Sequence, residues 1–385
     1  FNNMQRDEHV GVLVQRRGIL SAFLRLRYYL WTLPTKLVIA KELRRLQEQL
    51  RLQSAARIRI WSSSFNINSV SDRDCLVRYR FKRKDIGFIA GIIPWENGLD
   101  FHGKMRTSRR RYYIDQLEAT SILLRRLATP CRWVDLHEEF GKHSSALTEI
   151  FYHALELFYS KFSPLIHMWP ESIVQERAAY YAKCVTKRGA VLPHVVGFID
   201  GTSLEIARPK GNAQRATYSG HKRRNCIKFQ AISAPDGCIL HLFGPMEGRR
   251  HDMTLYRESA IDQALQASLL VDGVQYYIYG DPAYCLRPYL QVGFQGSDRT
   301  PEKVLFNASM ARVRIAVEWA FRDVKLYFTH LTVPRKLRLR VTPAGLWYTC
   351  SVLLWNFRAC LYGSQASKYF DCDPLSLHEY LEALH

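Results

Sequence analysis

The sequence has no pair of cysteines with the spacing of a zinc knuckle. Its nine cysteines are scattered, are odd in number and form no Cys-x-x-Cys pair. Zinc knuckles use such pairs, and disulfide frameworks usually use an even set of cysteines. The cysteine pattern therefore argues against both kinds of site and predicts a protein of a reducing compartment.

The sequence also lacks a long hydrophobic run. A membrane-spanning helix needs roughly 18 or more consecutive apolar residues. The longest apolar stretches are Phe88–Trp95 and Leu346–Phe357, and both are too short for a span. We assign them to the protein core and expect no membrane partner.

Acidic residues are scarce relative to basic ones. The 385 residues include 55 Lys and Arg but 35 Asp and Glu, which gives a net charge of +20. The surplus lies in residues 1–112 (+14) and 201–385 (+7), whereas residues 113–200 carry −1. An excess of this size predicts a polyanionic partner, with nucleic acid favoured over a membrane.

Changes of pattern along the chain divide it into four regions. We predict a basic, helical or irregular region over residues 1–112 and a helical domain over 113–192. An α/β catalytic domain is predicted over 193–330, followed by packing helices over 331–385. The fold class is therefore α/β, with an N-terminal region that we expect to be all-α.

The N-terminal region combines a helical pattern with basic clusters. Leu43, Leu46 and Leu50 recur at helical spacing within residues 1–60, and residues 61–112 are expected to be irregular. A partner helix, an arm on phosphate and a helix packed on its own domain all fit this pattern. The segment KMRTSRRRYY suits phosphate contact or nuclear import through Arg109, Arg110 and Arg111.

A helix-turn-helix-like unit is predicted within residues 114–165. Two helical patterns are separated by a short turn near Gly141–Ser144. Residues 113–170 hold 5 Lys and Arg against 7 Asp and Glu, net −2, whereas helices that read DNA are usually basic. A base-reading unit and a plain helical bundle are both compatible with the sequence.

From residue 194 the pattern changes to short apolar strands. HVVGFID and QYYIYGD predict strands, and Pro235-Asp236-Gly237 predicts a hairpin between two more. A helix is expected after Asp252 as its cap, and another over Ala308–Phe328. The order of strand, hairpin, helix, strand and helix predicts an RNase H-like mixed sheet flanked by helices.

Three acidic residues stand at positions that suit a metal site. Asp200 and Asp281 end predicted strands, and Glu318 lies in the last predicted helix of the α/β domain. Taken singly, each aspartate is more often a turn residue and the glutamate a surface residue. Together they predict a site for two cations about 3.5–4 Å apart. Carboxylate oxygens favour Mg²⁺ or Mn²⁺ over zinc.

Basic residues accompany this acidic set. Arg314, Arg322 and Lys325 follow the spacing i, i+8 and i+11 around Glu318, which we assign to one helix face. They are expected to bind DNA phosphates, and surface ion pairs are the alternative. Arg223 and Arg224 beside the hairpin are further candidates for DNA contact. His251-Asp252 is a weaker candidate for a base that supports the metal ligands from outside. Tyr284 is also a weaker candidate, which either lines the substrate groove or packs in the core.

Five segments resemble the Harbinger/PIF-type DDE transposases of eukaryotes. In chain order they are RWVDLHEEFG, GFIDGTSLEIARP, GPMEGRRHDMTLYRES, YIYGDPAYCL and FNASMARVRIAVEWAFRDVK. The resemblance covers about residues 78–360. Related bacterial transposases place Tyr, Arg, Glu and Lys along the last helix, and here Ala311 stands in place of the Tyr.

The resemblance implies a DNA endonuclease that works with two divalent ions. Asp200, Asp281 and Glu318 would hold two Mg²⁺ or Mn²⁺ ions, with water attacking a phosphodiester at the element end. The freed 3′-hydroxyl would then join target DNA. The family also implies a Myb-like DNA-binding partner protein, a homo-oligomer and a nuclear location.

Two other functions compete with this interpretation. A domesticated, non-catalytic nuclear protein would keep the fold, although the intact carboxylates argue against it. A nuclease acting on RNA–DNA hybrids is disfavoured by the transposase-like helix and the basic N-terminal region.

Overall fold

The computed structural model describes residues 57–58, 65–95, 104–107, 110–297 and 299–384, with the backbone alone for 57–58, 104–107 and 110–113. The predicted helix that carries Leu43, Leu46 and Leu50 lies outside the described residues, and so does Arg109.

The region predicted to be irregular contains helices and short strands. The strands are β1 (Arg57–Ile58), β2 (Lys104–Thr107) and β3 (Arg110–Tyr113), in the order β1-β3-β2. The helices are α1 (Asp72–Arg78) and α2 (Arg83–Ile92). Ser71 caps α1 by accepting a hydrogen bond from the Asp74 amide, and apolar side chains such as Ile86 and Ile89 bury one face of α2. The expectation of an all-α N-terminal region is therefore wrong.

The helical region follows the predicted order. Its helices are α3 (Gln116–Ala128), α4 (Asp135–Phe140), α5 (Ser144–Phe162), α6 (Pro164–His167) and α7 (Glu171–Lys187). Gly141 ends α4 in the left-handed conformation (φ 59°), and the imidazole of His143 caps α5 by accepting from the Ser145 amide. The helix-turn-helix-like arrangement of α4 and α5 is thus present.

The turn between α4 and α5 is held by a buried ion pair. Lys142 Nζ lies 2.5 Å from Glu118 Oε1 on α3, and the two side chains are 0% and 5% exposed. A buried ion pair must be stabilised by contacts within the protein, because water cannot solvate either side chain. The lysine in this turn is therefore part of the interior.

The central sheet is mixed. Its strands are β4 (Val195–Glu205), β6 (Arg224–Ser233), β7 (Ile239–Glu247), β10 (Tyr277–Gly280) and β11 (Leu290–Val292), in the order β7-β6-β4-β10-β11. β4, β6 and β7 pair antiparallel, whereas β4, β10 and β11 pair parallel. This arrangement agrees with the predicted RNase H-like fold. Short strands β5 (Tyr218–Ser219), β8 (Leu270–Val271) and β9 (Val274–Gln275) lie beside it.

The elements around the sheet differ from the prediction in one place. The helix expected after Asp252 is divided into α9 (Asp252–Glu258) and α10 (Ile261–Ser268), because Ala260 adopts a left-handed conformation (φ 53°). Asp252 is the first residue of α9, and His251 occupies the cap position in its place. A shorter helix, α8 (Asn212–Thr217), lies between β4 and β5.

The C-terminal helices pack the sheet against the helical region. They are α11 (Pro301–Tyr327), α12 (Ala344–Tyr362), α13 (Gln365–Phe370) and α14 (Leu377–Glu382). Trp347 of the buried helix α12 contacts Phe151 of α5, with ring centroids 4.9 Å apart. Phe229 of β6 lies 4.3 Å from Tyr348. Helical region and sheet therefore share one hydrophobic core.

None of the helices in the described part of the chain is long and apolar enough to cross a membrane.

The buried pair predicts a large loss of stability when one partner is removed. Lys142→Met should lower the free energy of unfolding by about 3–5 kcal/mol, because it removes one partner of a buried ion pair. Chemical denaturation measures this difference. Lys187→Met is the matched control: its Nζ lies 2.6 Å from Asp371, but the side chains are 64% and 68% exposed. We expect it to cost at most about 1 kcal/mol. Equal losses in the two variants would contradict the assignment.

Candidate active site

Parallel pairing of two strands brings two of the predicted acids together. Gly280 at the end of β10 pairs with Ile199 of β4, so the following residues, Asp281 and Asp200, emerge side by side. The shared edge of parallel strands is where polar side chains from separate strands can meet. Asp281 follows the end of its strand as predicted, whereas Asp200 lies within β4, which continues to Glu205, so the prediction that Asp200 ends its strand is wrong.

The Asp200 carboxylate is partly buried, and both of its oxygens accept hydrogen bonds. Its Oδ1 accepts from the Gly201 amide at 2.7 Å, and its Oδ2 accepts from Arg314 Nη1 at 2.8 Å. Burial raises the pKa of Asp200 to about 6 although Arg314 opposes the shift, and the carboxylates of Asp281 and Asp252 raise it further. The Asp200 carboxyl is costly to ionise because it is buried near other carboxylates. A positive charge placed beside it would therefore be favourable.

Asp281 stabilises the turn that follows its strand. Its Oδ1 accepts from the Ala283 amide at 2.8 Å, and its carbonyl accepts from the Tyr284 amide at 2.9 Å. This turn directs the Tyr284 ring inward, where the side chain is 4% exposed. The Tyr284 hydroxyl has no hydrogen-bond partner within the described structure. Burial raises its pKa well above the usual range, and Asp200, Asp252 and Asp281 add to the shift.

Glu318 lies at the margin of this group. It stands one helical turn after Arg314 on α11, with 3.8 Å between Arg314 Nη2 and Glu318 Oε1. Its side chain is 58% exposed, compared with 21% for Asp200. The Arg314 guanidinium thus bonds Asp200 and approaches Glu318, and links the two carboxylates.

Asp252 raises the pKa of Asp200 although the sequence assigned it to a helix cap. A Cβ atom on Gly201 would lie 2.8 Å from Asp252 Oδ1, so the carboxylate contacts the backbone directly after Asp200. Lys228 Nζ approaches the same oxygen at 3.2 Å. The sheet topology could have indicated the position of Asp252. Helix α9 begins where the chain leaves the sheet after β7, and β6 lies between β7 and β4.

The cations expected on one face of α11 point in different directions. Arg322 lies eight residues after Arg314 and is therefore rotated about 80° from it around the helix axis. Lys325 lies eleven residues after Arg314 and is rotated by only about 20°. Arg322 accordingly leaves the face and bonds Asp323 and Gln365. Lys325 stays on the sheet side and donates to the Ser203 carbonyl at 2.9 Å. The prediction of a single cationic face is therefore wrong for Arg322.

A second basic region lies beside Lys325. Burial lowers the pKa of Lys325, and the charges of Arg224 and Lys222 lower it further. The segment from Ile206 to Arg224, between β4 and β6, contains six Lys and Arg and no acid. Arg224 Nη1 pairs with Glu205 at 2.8 Å, and Arg223 is exposed in a left-handed conformation (φ 51°). We call residues 206–224 the basic loop.

Two of the three N-terminal arginines predicted to contact DNA have a described backbone. Arg110 and Arg111 lie in β3, paired with Arg57 and Ile58 of β1. Their side chains, and Arg109 as a whole, lie outside the described residues. Their role in DNA contact stays a prediction.

The donor atoms of the acidic group suit a hard divalent cation. Asp200, Asp252 and Asp281 offer carboxylate oxygens, and the buried Tyr284 hydroxyl lacks a partner. No set of three or more His, Cys, Asp or Glu side chains is gathered closely enough to hold a metal ion within the ranges described. Arg314 instead supplies positive charge to Asp200 and Glu318. The donor atoms are therefore of the type that a hard divalent cation takes, but in this arrangement the Arg314 guanidinium, and not a gathered set of carboxylates, balances the charge of Asp200.

Comparisons with known proteins address the same region. Residues 199–356 match the family model of the DDE superfamily endonucleases. "Protein ALP1-like" of Arabidopsis thaliana is 20% identical over 219 residues, which cover 54% of this chain and 52% of that protein. The chain thus spans about half the length of this curated relative. No solved structure matches. The family match confirms the resemblance to DDE enzymes that the sequence motifs indicated.

The raised pKa of Asp200 predicts a pH-dependent contribution to stability. The folded value of about 6 lies above the ordinary value of 3.8, so the folded protein binds this proton more tightly than the unfolded chain. The contribution is complete below about pH 4 and is lost as the pH rises through about 6. Urea denaturation in EDTA should therefore show the stability of wild type, relative to Asp200→Asn, falling between these values.

The control for this experiment is Asp262→Asn, which removes an acid that approaches Arg287 at 3.8 Å on the outer side of α10. Its stability difference from wild type should not follow the same pH curve. A pH-independent difference between wild type and Asp200→Asn would contradict the burial described for Asp200.

Proposed function

We propose, from the premise that residues 199–356 form a DDE superfamily endonuclease domain, that this protein cuts phosphodiester bonds in DNA at the site around Asp200. The observation that carries the proposal is the pairing of β4 with β10. It sets Asp200 and Asp281 side by side on a fold of the RNase H type. The net charge of +20 supports DNA as the partner.

Enzymes of this superfamily use divalent metals, and we assign Mg²⁺ or Mn²⁺ to this site. Asp200, Asp281 and Glu318 would hold two ions. When bound, such ions activate water and stabilise the leaving oxygen of the phosphodiester. Arg314 holds Asp200 ionised and in place, and it joins α11 to β4 at 2.8 Å.

The basic loop and Lys325 would hold the DNA backbone next to the acidic group. Lys325 reaches the Ser203 carbonyl, three residues beyond Asp200 on the same strand. Lys222 and Arg224 act on Lys325 electrostatically, so positive charge continues along β4 from the acids toward the loop. Phosphates that follow this track would pass the carboxylates at its end.

The finer activity follows from the motifs of the DDE transposases. We infer that the protein cuts at the ends of a DNA element and joins the 3′-hydroxyl to target DNA. It would act in the nucleus as a homo-oligomer, together with a Myb-like DNA-binding partner protein.

A second function is favoured by the position of Glu318. This carboxylate is 58% exposed and contacts Arg314, whereas Asp200 and Asp281 lie together. A domesticated nuclear protein that binds DNA without transposing it would tolerate such an arrangement. Metal-dependent cleavage distinguishes the two functions.

Substitution of a carboxylate should abolish cleavage and leave DNA binding intact. In a nicking assay on supercoiled DNA that carries the element end, Asp200→Asn and Asp281→Asn should lose activity by at least about 10³-fold. The metal's charge stabilisation is worth several kcal/mol, which corresponds to this factor. Reactions with Mg²⁺, Mn²⁺ and EDTA establish the metal dependence.

Glu258→Gln is the control, since it removes an exposed acid of α9 outside the acidic group. It should cut like the wild type. Full activity of Asp281→Asn would refute the assignment of Asp281 to the metal site. A wild-type protein that binds DNA but never cuts it, even with a partner protein added, would favour the second function.

The basic loop should contribute to DNA affinity through phosphates. Arg223→Gln should weaken binding to all sequences alike and reduce the slope of log K against log salt by about 1, because one fewer counterion is released. Fluorescence anisotropy at several salt concentrations measures this slope. Lys368→Gln, an exposed lysine on α13, should leave it unchanged. Equal slopes for wild type and Arg223→Gln would remove Arg223 from the interface.

A further inference from the structure

We propose that Arg335, Arg338 and Arg340 bind the phosphate backbone of DNA and form one surface with the basic loop. We call residues 335–340, which follow α11, the arginine turn. The inference rests on the proposed function in one respect, namely that DNA is the partner of this chain. It deepens that function because neither the transposase motifs nor the basic loop assigns a DNA contact to this part of the chain.

The arginine turn lies in a stretch of sequence that contains no acid. No Asp or Glu occurs from residue 324 to residue 370, and four of the seven Lys and Arg of this stretch fall within residues 335–340. With 35 Asp and Glu in 385 residues, 47 residues of average composition would hold about four acids. The positive charge of the turn is therefore not balanced by acids close to it in sequence.

A backbone hydrogen bond joins the arginine turn to the basic loop. The Ala207 amide donates to the Leu337 carbonyl at 3.0 Å, and Ala207 is the second residue of the basic loop. The Leu337 side chain is buried, which fixes the middle of the turn to the protein. Two basic segments that are about 130 residues apart in sequence are therefore neighbours in the structure.

One of the four cations anchors the turn, and the other three face solvent. Lys336 Nζ donates to the Cys131 carbonyl at 3.3 Å and to the Pro130 carbonyl, just after α3. In contrast, the three arginines of the turn are exposed. This division of roles leaves the guanidinium groups available to a ligand while the backbone stays in place.

The turn is ordered before any ligand binds. Thr342 donates through its amide to the Arg338 carbonyl and through its hydroxyl to the Lys336 carbonyl, both at 2.8 Å. Arg338 Nε donates to the Arg335 carbonyl at 3.3 Å. A ligand that binds an ordered segment loses less affinity to the entropy of ordering it.

The three arginines have no acidic partner among the ion pairs of the described residues. The nearby Asp135 pairs with Arg132 at 2.8 Å. A guanidinium group presents a planar set of donors that matches the oxygens of a phosphate. The chemistry of the turn therefore suits phosphate groups.

The course of β4 favours DNA as the source of these phosphates. Lys325 binds the Ser203 carbonyl, Arg224 pairs with Glu205, and Ala207 binds the arginine turn. Basic groups thus accompany the strand from near Asp200 to its end and beyond. A polyanion with regularly spaced charges can contact such an extended surface at several points.

DNA binding by the full chain tests the inference. We would measure the affinity for a labelled duplex by fluorescence anisotropy, in EDTA and at several salt concentrations. The triple variant Arg335→Gln, Arg338→Gln and Arg340→Gln should bind more weakly than wild type. The slope of log K against log salt should decrease by about 3, because three fewer counterions are released.

The matched control removes the same charge elsewhere. Lys183→Gln, Arg188→Gln and Lys368→Gln change three exposed cations at the end of α7 and in α13. The end of α7 lies beside the first half of α11, where the Ser309 hydroxyl donates to the Gly189 carbonyl, whereas the arginine turn follows the last residue of α11. This variant should keep the wild-type slope. Equal decreases in the two triple variants would show an effect of net charge and would overturn the inference.

A second measurement needs no substitution. Phenylglyoxal modifies accessible guanidinium groups, and mass spectrometry locates the adducts. Duplex DNA should slow the modification of the three arginines of the turn by about 5-fold or more, whereas Arg188 should react at the same rate with and without DNA. Equal rates at the turn in the two conditions would contradict the inference even if the triple variant fails to fold.

The outcomes separate the inference from the proposed function. If the triple variant binds DNA with the wild-type slope, the arginine turn has no role, and the proposed function stands. If the triple variant loses binding to vesicles of phosphatidylserine and phosphatidylcholine while its DNA binding is unchanged, the turn binds lipid and the inference is wrong. If the wild type fails to bind duplex DNA, the proposed function fails together with this inference.

Discussion

The parallel pairing of β4 with β10 is the constraint on which the rest of the site depends. It places Gly280 opposite Ile199, so that Asp200, inside β4, lies next to Asp281, which follows β10. Two carboxylates at one edge repel each other, and burial makes Asp200 still harder to ionise. Arg314 relieves this repulsion by bonding Asp200. The fold thus brings two acids together and holds one of them with a cation from α11.

Several features could be predicted from sequence because they depend on local pattern. The apolar runs before Asp200 and Asp281 predicted strands β4 and β10, and Pro235-Asp236-Gly237 predicted the hairpin between β6 and β7. The position of Asp252 could not be predicted in this way. Its contact with Gly201 joins residues 51 positions apart, through a helix start that resembles an ordinary cap. The first helices were missed because Ser71 and neighbouring polar residues, which cap α1, look like a loop.

The cationic face of α11 shows how an approximate periodicity fails. Spacing alone assigned Arg322 to the face of Arg314, but eight residues at 3.6 per turn carry it about 80° away. The structure gives it Asp323 and Gln365 as partners. Lys325 lies on the same face as Arg314, and its ammonium group binds a carbonyl of β4 instead of pointing to solvent. Both outcomes follow from helix geometry once the direction of the sheet is known.

The buried Lys142 has a consequence for how the helical region is coupled to the sheet. Its pair with Glu118 fixes the turn between α4 and α5 to α3, and Phe151 of α5 packs on Trp347 of α12. The next residue of α12, Tyr348, packs on Phe229 of β6. A displacement of α5 would therefore be transmitted through packed side chains to the sheet that carries Asp200.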